Sequence, residues 1–282
     1  MAISVKMARR CYAEELHFSA QVASHTVIDA FAAVPRERFV GPGPWNIKSP
    51  MRMGDYWTTP DDDPRHVYHD TLIALDAARG INNGQPSLWI ALFDQLGVRS
   101  GEHIVHLGCG TGYYSAIAAE LVGVAGKVTA IEIDAGLAQL ARMALVKWRQ
   151  VSVLNADGAR AALDPADVII ASAGATHPLP AWLDALRPNG RLLFPMTTEG
   201  QWGGMLLVTH HSANSYAAHF LCPVGFIEFS GARDPAIGRQ LEAAFGRDRG
   251  AAVQSLRRAP AEPDETCWLA GDGWWLSTAS VE

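Results

Sequence analysis

The chain is short of cysteine, short of charge and without a long apolar run, and each shortage removes a class of function. Its 282 residues include 4 cysteines, Cys11, Cys109, Cys222 and Cys267, far apart and with no C-x-x-C pair, so neither a zinc ribbon nor a redox dithiol is indicated. A reducing, cytoplasmic setting fits that usage. No stretch reaches the roughly 18 apolar residues that a membrane-spanning helix needs. The basic residues of MAISVKMARRCYAEEL are followed by no apolar run of the kind that makes a secretory leader. Charged residues are 18% of the chain, and 23 Lys+Arg against 29 Asp+Glu leave a net charge of −6. A surplus of acid repels polyanions, so nucleic acid is not expected as a partner. The histidines show no ligand spacing: His66 and His69 are three apart, and the adjacent His210 and His211 point to opposite faces of a strand. No metal site is expected.

What is present is apolar material, 49% of the chain, enough for a sizeable core. The length allows one or two domains at about 150 residues each. The pattern reads as a catalytic domain over 81–232, an N-terminal helix and wrapping arm over 1–80, and a C-terminal helix with a Trp-rich extension over 233–282. Helical spacing over 19–33 stops before Val34-Pro35, where the residue preceding proline leaves the α region. Six prolines from Pro35 to Pro64, with Gly41, Gly43 and Asp61-Asp62-Asp63, keep the next segment irregular, as an arm around the domain or a lid over substrate.

From 86 to 210, short β-branched runs alternate with helical stretches. The pattern predicts a helix Pro86–Leu96, strand 103–107, helix 113–121, strand 127–133, helix 135–148, strands 151–155 and 167–172, helix 180–187 closed by Pro188-Asn189-Gly190, and strand 191–196. Such alternation is that of βαβ units in a Rossmann-like, doubly wound α/β sheet. Segments 205–211 and 217–229 read as an antiparallel pair, and 234–246 as an amphipathic helix. CWLAGDGWWLST, with Trp268, Trp274 and Trp275, reads as a hairpin whose aromatic face covers the core, forms a lid, or meets a second copy in a homodimer.

The most informative segment is His106-Leu107-Gly108-Cys109-Gly110-Thr111-Gly112-Tyr113, between a strand and a helix. Its glycines let the backbone turn tightly and approach a ligand, and amides at a helix start favour an anionic group. Cys109 reads as a small filler. The third glycine of a dinucleotide fingerprint would fall at Tyr113, which disfavours NAD or FAD. Glu132, followed by Ile133, stands at the carboxyl end of the next strand, about 20 residues on, where an acid can accept both hydrogen bonds of a ribose diol. Asp157 and Gly158 end the third strand, placed to accept from an adenine amine and to make room for its ring.

In this order the segments resemble the motifs of class I S-adenosylmethionine-dependent methyltransferases. With Val34-Pro35-Arg36-Glu37-Arg38-Phe39-Val40, HLGCGTGYYSA, VTAIEID, ADG and PLPAWLDALRPNGRLLFPM, spread over roughly residues 20–230, the chain is similar to the protein-L-isoaspartate O-methyltransferase family. The resemblance implies a seven-stranded methyltransferase sheet and S-adenosyl-L-methionine as cofactor. It implies cofactor contacts at Asn83, Gly84, Gln85, Gly108, Cys109, Gly110, Gly112, Tyr113, Glu132, Ile133, Asp157, Gly158 and Ala173.

The chain departs from the family at one loop. Members that repair isoaspartate carry Thr-Ile-Ser-Gln-Pro before the first motif, the serine beside the methyl donor; here the stretch is Asn82-Asn83-Gly84-Gln85-Pro86-Ser87, with glycine in the serine position. The expectation is therefore a carboxylate acceptor on a peptide or small acid, outside ordinary isoaspartyl repair. Asn83 either donates its amide to that carboxylate or packs against the cofactor. His177, after the fourth strand, is a substrate contact, a general base, or a helix-start histidine bonded to backbone. A carboxylate, with a reference pKa of about 4, is ionised at neutral pH and needs no base. A hydroxyl or amine acceptor, as in natural-product methylation, would need one. A non-catalytic S-adenosylmethionine-binding protein is the rival from another class.

Overall fold

The computed structural model describes residues 3–50, 52, 54–212 and 214–281. They fall into two compact units, one formed by Met1–Glu102 and Cys109–Asn155, the other by His103–Gly108 and Ala156–Glu282.

In the first unit, helix α1 (Val5–Ser19) starts where the Ser4 side chain accepts from the Met7 amide, and α2 (His25–Ala33) where Ser24 accepts from Val27. Of the helix expected over 19–33, only 25–33 forms, as α2; α1 ends at Ser19 and the residues between are not helical. The Asp94 carboxylate takes the amides of Ala23 and Ser24, at 3.2 and 2.9 Å, so those donors are lost to a continuous helix. The proline-rich arm carries short strands β1 (Asn46–Lys48) and β2 (Trp57–Thr58), which join β3 (Leu72–Asp76) and β4 (Ile81–Asn82) in an antiparallel sheet of order β2-β1-β3-β4. Helix α3 (Pro86–Leu96) has proline in its first turn and ends on left-handed Gly97.

Strand β5 (His103–Leu107) belongs to the second unit. The chain then returns to the first for α4 (Tyr113–Val122), β6 (Lys127–Glu132), α5 (Ala135–Ala144) and β7 (Val151–Asn155). Every residue of α4 except Glu120 is buried, as suits a helix apolar all round. Helices α1, α2 and α3 pack on one another and α2 packs on α4. Strands β6 and β7 run parallel, with Glu132 paired to Asn155 at their carboxyl ends. Helix α5 stops four residues short of the expected 148, because the Trp148 amide turns back to Leu145 and its indole is held by Glu120 at 2.7 Å.

The second unit continues with β8 (Ala166–Ala171), α6 (Pro180–Asp184), β9 (Leu186–Thr197), β10 (Trp202–Ser212), β11 (Ser215–Gly225), α7 (Pro235–Asp248), β12 (Ser255–Arg258), β13 (Cys267–Gly271) and β14 (Trp274–Ser277). Its strands lie in the order β13-β14-β12-β11-β10-β9-β8-β5. β5, β8 and β9 are parallel and the rest antiparallel. Pro188-Asn189-Gly190, expected to close a helix, is instead a bulge inside β9, with Asn189 at φ 62. The C-terminal strands β12–β14 extend the sheet beyond β11. Their Leu256, Trp275 and Leu276 are buried, and Trp268 packs edge-on or tilted against Phe220 and Phe245. Among the described residues no helix is long and apolar enough to cross a membrane.

Candidate active site

The glycine loop turns through Gly108, Gly110 and Gly112 at φ 71, 56 and 92, a region where a Cβ costs about 1–2 kcal/mol. The three glycines serve different ends. A Cβ at residue 112 would meet Leu145 at 2.6 Å, so that glycine allows packing. At Gly110 the nearest atom would be Leu75 Cδ1 at 3.5 Å, and at Gly108 the Ser172 backbone at 4.0 Å, so there the backbone borders open space. Glu132 is 6% exposed; its Oε2 accepts the Gly110 amide at 2.8 Å and its Oε1 the Asp134 amide at 2.9 Å. Each oxygen keeps a second lone pair, which is the capacity a ribose diol requires. The donor set and the open backbone fit S-adenosylmethionine.

Other predicted residues of this unit take varied places. The Cys109 amide donates to Ile131, while its buried thiol is pushed up in pKa by burial and by Glu132, which removes any nucleophilic role. The Tyr113 ring is buried among Phe31, Phe39 and Tyr114, so only its backbone belongs to the loop. Ile133 is half exposed. Asp134 caps α5 and receives Arg79 at 2.7 Å, tying the β3–β4 turn to this region.

The loop that departs from the family is explained by its neighbours. Gly84 has φ +78, and a Cβ there would lie 2.6 Å from Trp89 Nε1 and 2.9 Å from Tyr114 Cε2. The two rings, stacked 4.7 Å apart, fill the space a serine side chain would need, and the Tyr114 hydroxyl donates to the Gly84 carbonyl. Gln85 donates to Asp70 and to Ser87, and Asp70 in turn accepts the Ser87 amide at the start of α3. Asn83 is 7% exposed, and its Oδ1 accepts from the fully buried Arg36 at 2.9 Å. The sequence by itself assigns Arg36 no role. Only its position in Val34-Pro35-Arg36-Glu37 could have singled it out.

In the second unit, the Asp157 Oδ1 accepts the Ala159 amide at 2.9 Å and its Oδ2 lies 3.6 Å from Arg160. Gly158 is glycine for a packing reason as well as any ligand: a Cβ would meet Phe229 at 3.0 Å and Leu107 at 3.3 Å. The loop after β8, with Ala173, is fixed by Arg233, which donates to the carbonyls of Gly174, Thr197 and Thr198 and to the Thr197 hydroxyl. His177 Nδ1 lies 2.9 Å from the Thr176 hydroxyl, whose oxygen also accepts the Asp234 amide. Thr176 is fully buried, so its hydroxyl hydrogen needs an acceptor, and His177 Nδ1 is the one in reach. That assigns the imidazole proton to Nε2. Burial, helped by Arg233, lowers the His177 pKa against the pull of Asp234, so the ring is neutral at pH 7. Trp274 of the C-terminal hairpin lies nearly parallel to it at 6.5 Å.

A strand-to-helix glycine loop, an acid at the next strand end and the parallel strands that carry them define a methyltransferase-type α/β protein, and comparison with known proteins narrows the class. The family model described as Protein-L-isoaspartate(D-aspartate) O-methyltransferase (PCMT) matches residues 11–233. The Methanothrix thermoacetophila protein-L-isoaspartate O-methyltransferase is 31% identical over 190 residues, 66% of this chain and 80% of that one. Protein-L-isoaspartate O-methyltransferase 1 of Rhodopseudomonas palustris is 29% identical over 209 residues, 73% and 76% of the two chains. Among solved structures, a protein-L-isoaspartate O-methyltransferase superposes with TM-score 0.64 at 22% identity, covering 83% of this chain and 69% of that one. A Plasmodium falciparum structure, titled as a putative enzyme of this kind in complex with S-adenosyl-L-homocysteine, gives 0.62 at 15%, covering 79% and 98%. The chain belongs to the protein-L-isoaspartate(D-aspartate) O-methyltransferase family and is an S-adenosylmethionine-dependent methyltransferase.

Proposed function

We propose that the chain transfers the methyl group of S-adenosylmethionine to a carboxylate of a peptide or small acid. The observation that carries this is the setting of His177: its Nδ1 is engaged with the Thr176 hydroxyl at 2.9 Å, and in the tautomer that satisfies Thr176 the other nitrogen, Nε2, is a donor. A carboxylate acceptor needs no base and accepts from such a donor, whereas a hydroxyl or amine needs a base free to take its proton, and the Nδ1 of His177 is already bonded to Thr176. When bound, the cofactor supplies an electrophilic methyl group on a sulfonium. The chain's own contribution is alignment, which carries most of the rate in a displacement of this kind.

Each predicted contact has its own part. The amides of the 108–112 loop and Glu132 hold the ribose end, with Glu132 accepting the diol hydroxyls. Asp157 accepts from the adenine amine beside Gly158, and Ala173 and the Asn83–Gln85 loop are the remaining predicted contacts. The domain limits at 80/81 and 232/233 remain part of this reading. The expectation of an acceptor outside isoaspartyl repair rests on Gly84 alone; the relatives named above are all isoaspartate enzymes, so an isoaspartyl peptide is the first acceptor to test.

The test uses the full chain, methyl-labelled S-adenosylmethionine, and a panel of an isoaspartyl peptide, small dicarboxylic acids, phenols and amines. Label released by mild base as methanol from a carboxylate acceptor is the expected outcome. Label held in a base-stable ether or amine would overturn the reading.

A further inference from the structure

Arg36 is the most unusual polar group of the first unit. It is fully buried and permanently charged, yet among the described residues no carboxylate lies within ion-pair distance of it. Its Nη1 donates to the carbonyls of Val67 and His69, and its Nη2 to the carbonyl of Thr71 and to Asn83 Oδ1, all between 2.7 and 2.9 Å. The rings of Tyr12 and Tyr113 lie on it at 5.9 and 5.8 Å. Burial raises the pKa of both tyrosines, so they too are neutral. A buried cation whose direct partners are all neutral costs several kcal/mol to hold, and it favours an anion beside it.

The same cluster is short of acceptors. Arg36 has no acceptor atom, so the Asn83 amide must turn its oxygen to the guanidinium and its Nδ2 away. Asn83 Nδ2, Arg36 Nε and Thr71 Oγ1 are all enclosed without a hydrogen-bond partner among the described residues. A buried donor left unpaired costs about 1–3 kcal/mol. Two of these three groups can only donate, and a negatively charged oxygen is the group that completes them.

We infer that Asn83 grips the methyl acceptor: its Nδ2–H donates to one oxygen of the acceptor carboxylate, with Arg36 as the positioning residue behind it. The inference rests on the carboxylate reading above. Because Nδ2 is enclosed in the free chain, the groups around it must move aside on binding. The second carboxylate oxygen uses a lone pair to form the new O–CH3 bond while the S–CH3 bond breaks and its electron pair returns to sulfur; no proton moves. Asn83 thus occupies, one residue earlier, the role for which Gly84 leaves no side chain.

The experiment titrates the full chain, loaded with S-adenosylhomocysteine, with an isoaspartyl peptide and with the same peptide bearing a neutral amide in place of the carboxylate. Methyl transfer to the first peptide is measured in parallel. Wild type is expected to prefer the carboxylate by about tenfold or more, the size of one charge-assisted hydrogen bond. Asn83→Asp keeps the side-chain shape and gives Arg36 an anionic partner, so melting should show a folded chain. Its preference should vanish or invert, and KM for the carboxylate peptide should rise about 10–100-fold. If Asn83→Asp melts below the assay temperature, Asn83→Ala carries the same comparison. A purely structural role, such as holding a buried water, would change both peptides alike. An unchanged preference in the variants overturns the inference and leaves the methyltransferase reading standing. So does a wild type that takes up S-adenosylhomocysteine but shows no preference for the carboxylate. Base-stable methylation of a hydroxyl or amine overturns both.

Discussion

Restoring the family serine should damage this chain. At residue 84 the backbone sits at φ +78, which costs about 1–2 kcal/mol once a Cβ is added. The added carbon would then stand 2.6 Å from Trp89 Nε1 and 2.9 Å from Tyr114 Cε2. Both are atoms of rigid, stacked rings, so relief requires a ring or the backbone to move, and overpacking of this kind costs about 1–3 kcal/mol. Gly84→Ser is therefore expected to lose about 2–5 kcal/mol, or about 5–15 °C in Tm for a chain of this size. Thermal and urea melts measure it directly. Trp89→Phe shortens the ring that makes the closer contact, so Gly84→Ser with Trp89→Phe should cost about 1 kcal/mol less than the two changes summed. A Gly84→Ser protein that melts within about 2 °C of wild type would refute the steric reasoning. Gain of isoaspartyl activity by that variant would refute the companion idea that the serine's space is already filled.

Two further outcomes test the site and the strand beneath it. Glu132→Gln keeps the shape but removes the charge that receives the Gly110 amide and, by proposal, the ribose hydroxyls; S-adenosylhomocysteine affinity measured by calorimetry should fall about 10–100-fold, and unchanged affinity would remove Glu132 from the site. His106, in the middle of β5, is buried with Nε2 at 2.8 Å from Ser172 Oγ, and burial lowers its pKa from 6.5 to about 4. Between those values the unfolded chain binds the extra proton, so stability falls as pH drops from about 6.5 towards 4, by about 3 kcal/mol in the limit. His106→Gln should flatten that acid slope by close to one proton in denaturant melts at stepped pH; an unaltered slope would show that His106 is not the group responsible.

What could be read in the sequence was whatever local chemistry bounds. Pro86 and Gly97 enclose α3, and the apolar runs 103–107 and 151–155 end at the expected residues, because first-turn proline, left-handed glycine and β-branched runs act within a few positions. Reading failed where a distant partner decides. The break between α1 and α2 depends on Asp94, some seventy residues away, and the end of α5 on Glu120. The glycine loop and Glu132 stood out because they are contiguous and typed by chemistry. Gly84 showed only as a departure, since Trp89 and Tyr114, which explain it, look like ordinary core residues. Arg36 was hidden for the same reason: an arginine in an irregular arm reads as a solvated charge until Val67, His69 and Thr71 are seen to turn their carbonyls onto it.

The charge pattern inside the fold gives the acidic composition a different meaning from a surface field. Several acids of this chain are spent on backbone amides: Asp94 on Ala23 and Ser24, Asp70 on Ser87, Glu132 on Gly110 and Asp134, Asp157 on Ala159, Asp167 on His103. Two arginines do the converse. Arg36 gathers carbonyls of the arm, and Arg233 gathers carbonyls around the loop that carries Ala173 and His177. Carbonyl dipoles screen an arginine as amide dipoles screen an acid, and Arg233 also pairs with Glu199 at 3.3 Å, whereas Arg36 has no carboxylate within ion-pair distance among the described residues. A chain of net charge −6 therefore holds, at Arg36, a buried positive charge with no ion-pair partner among the described residues, directly behind the Asn83 side chain. On the inference that Asn83 receives the acceptor, an anion would meet repulsion at long range and attraction at contact, a combination that discriminates by what the acceptor presents at close quarters and not by its overall charge.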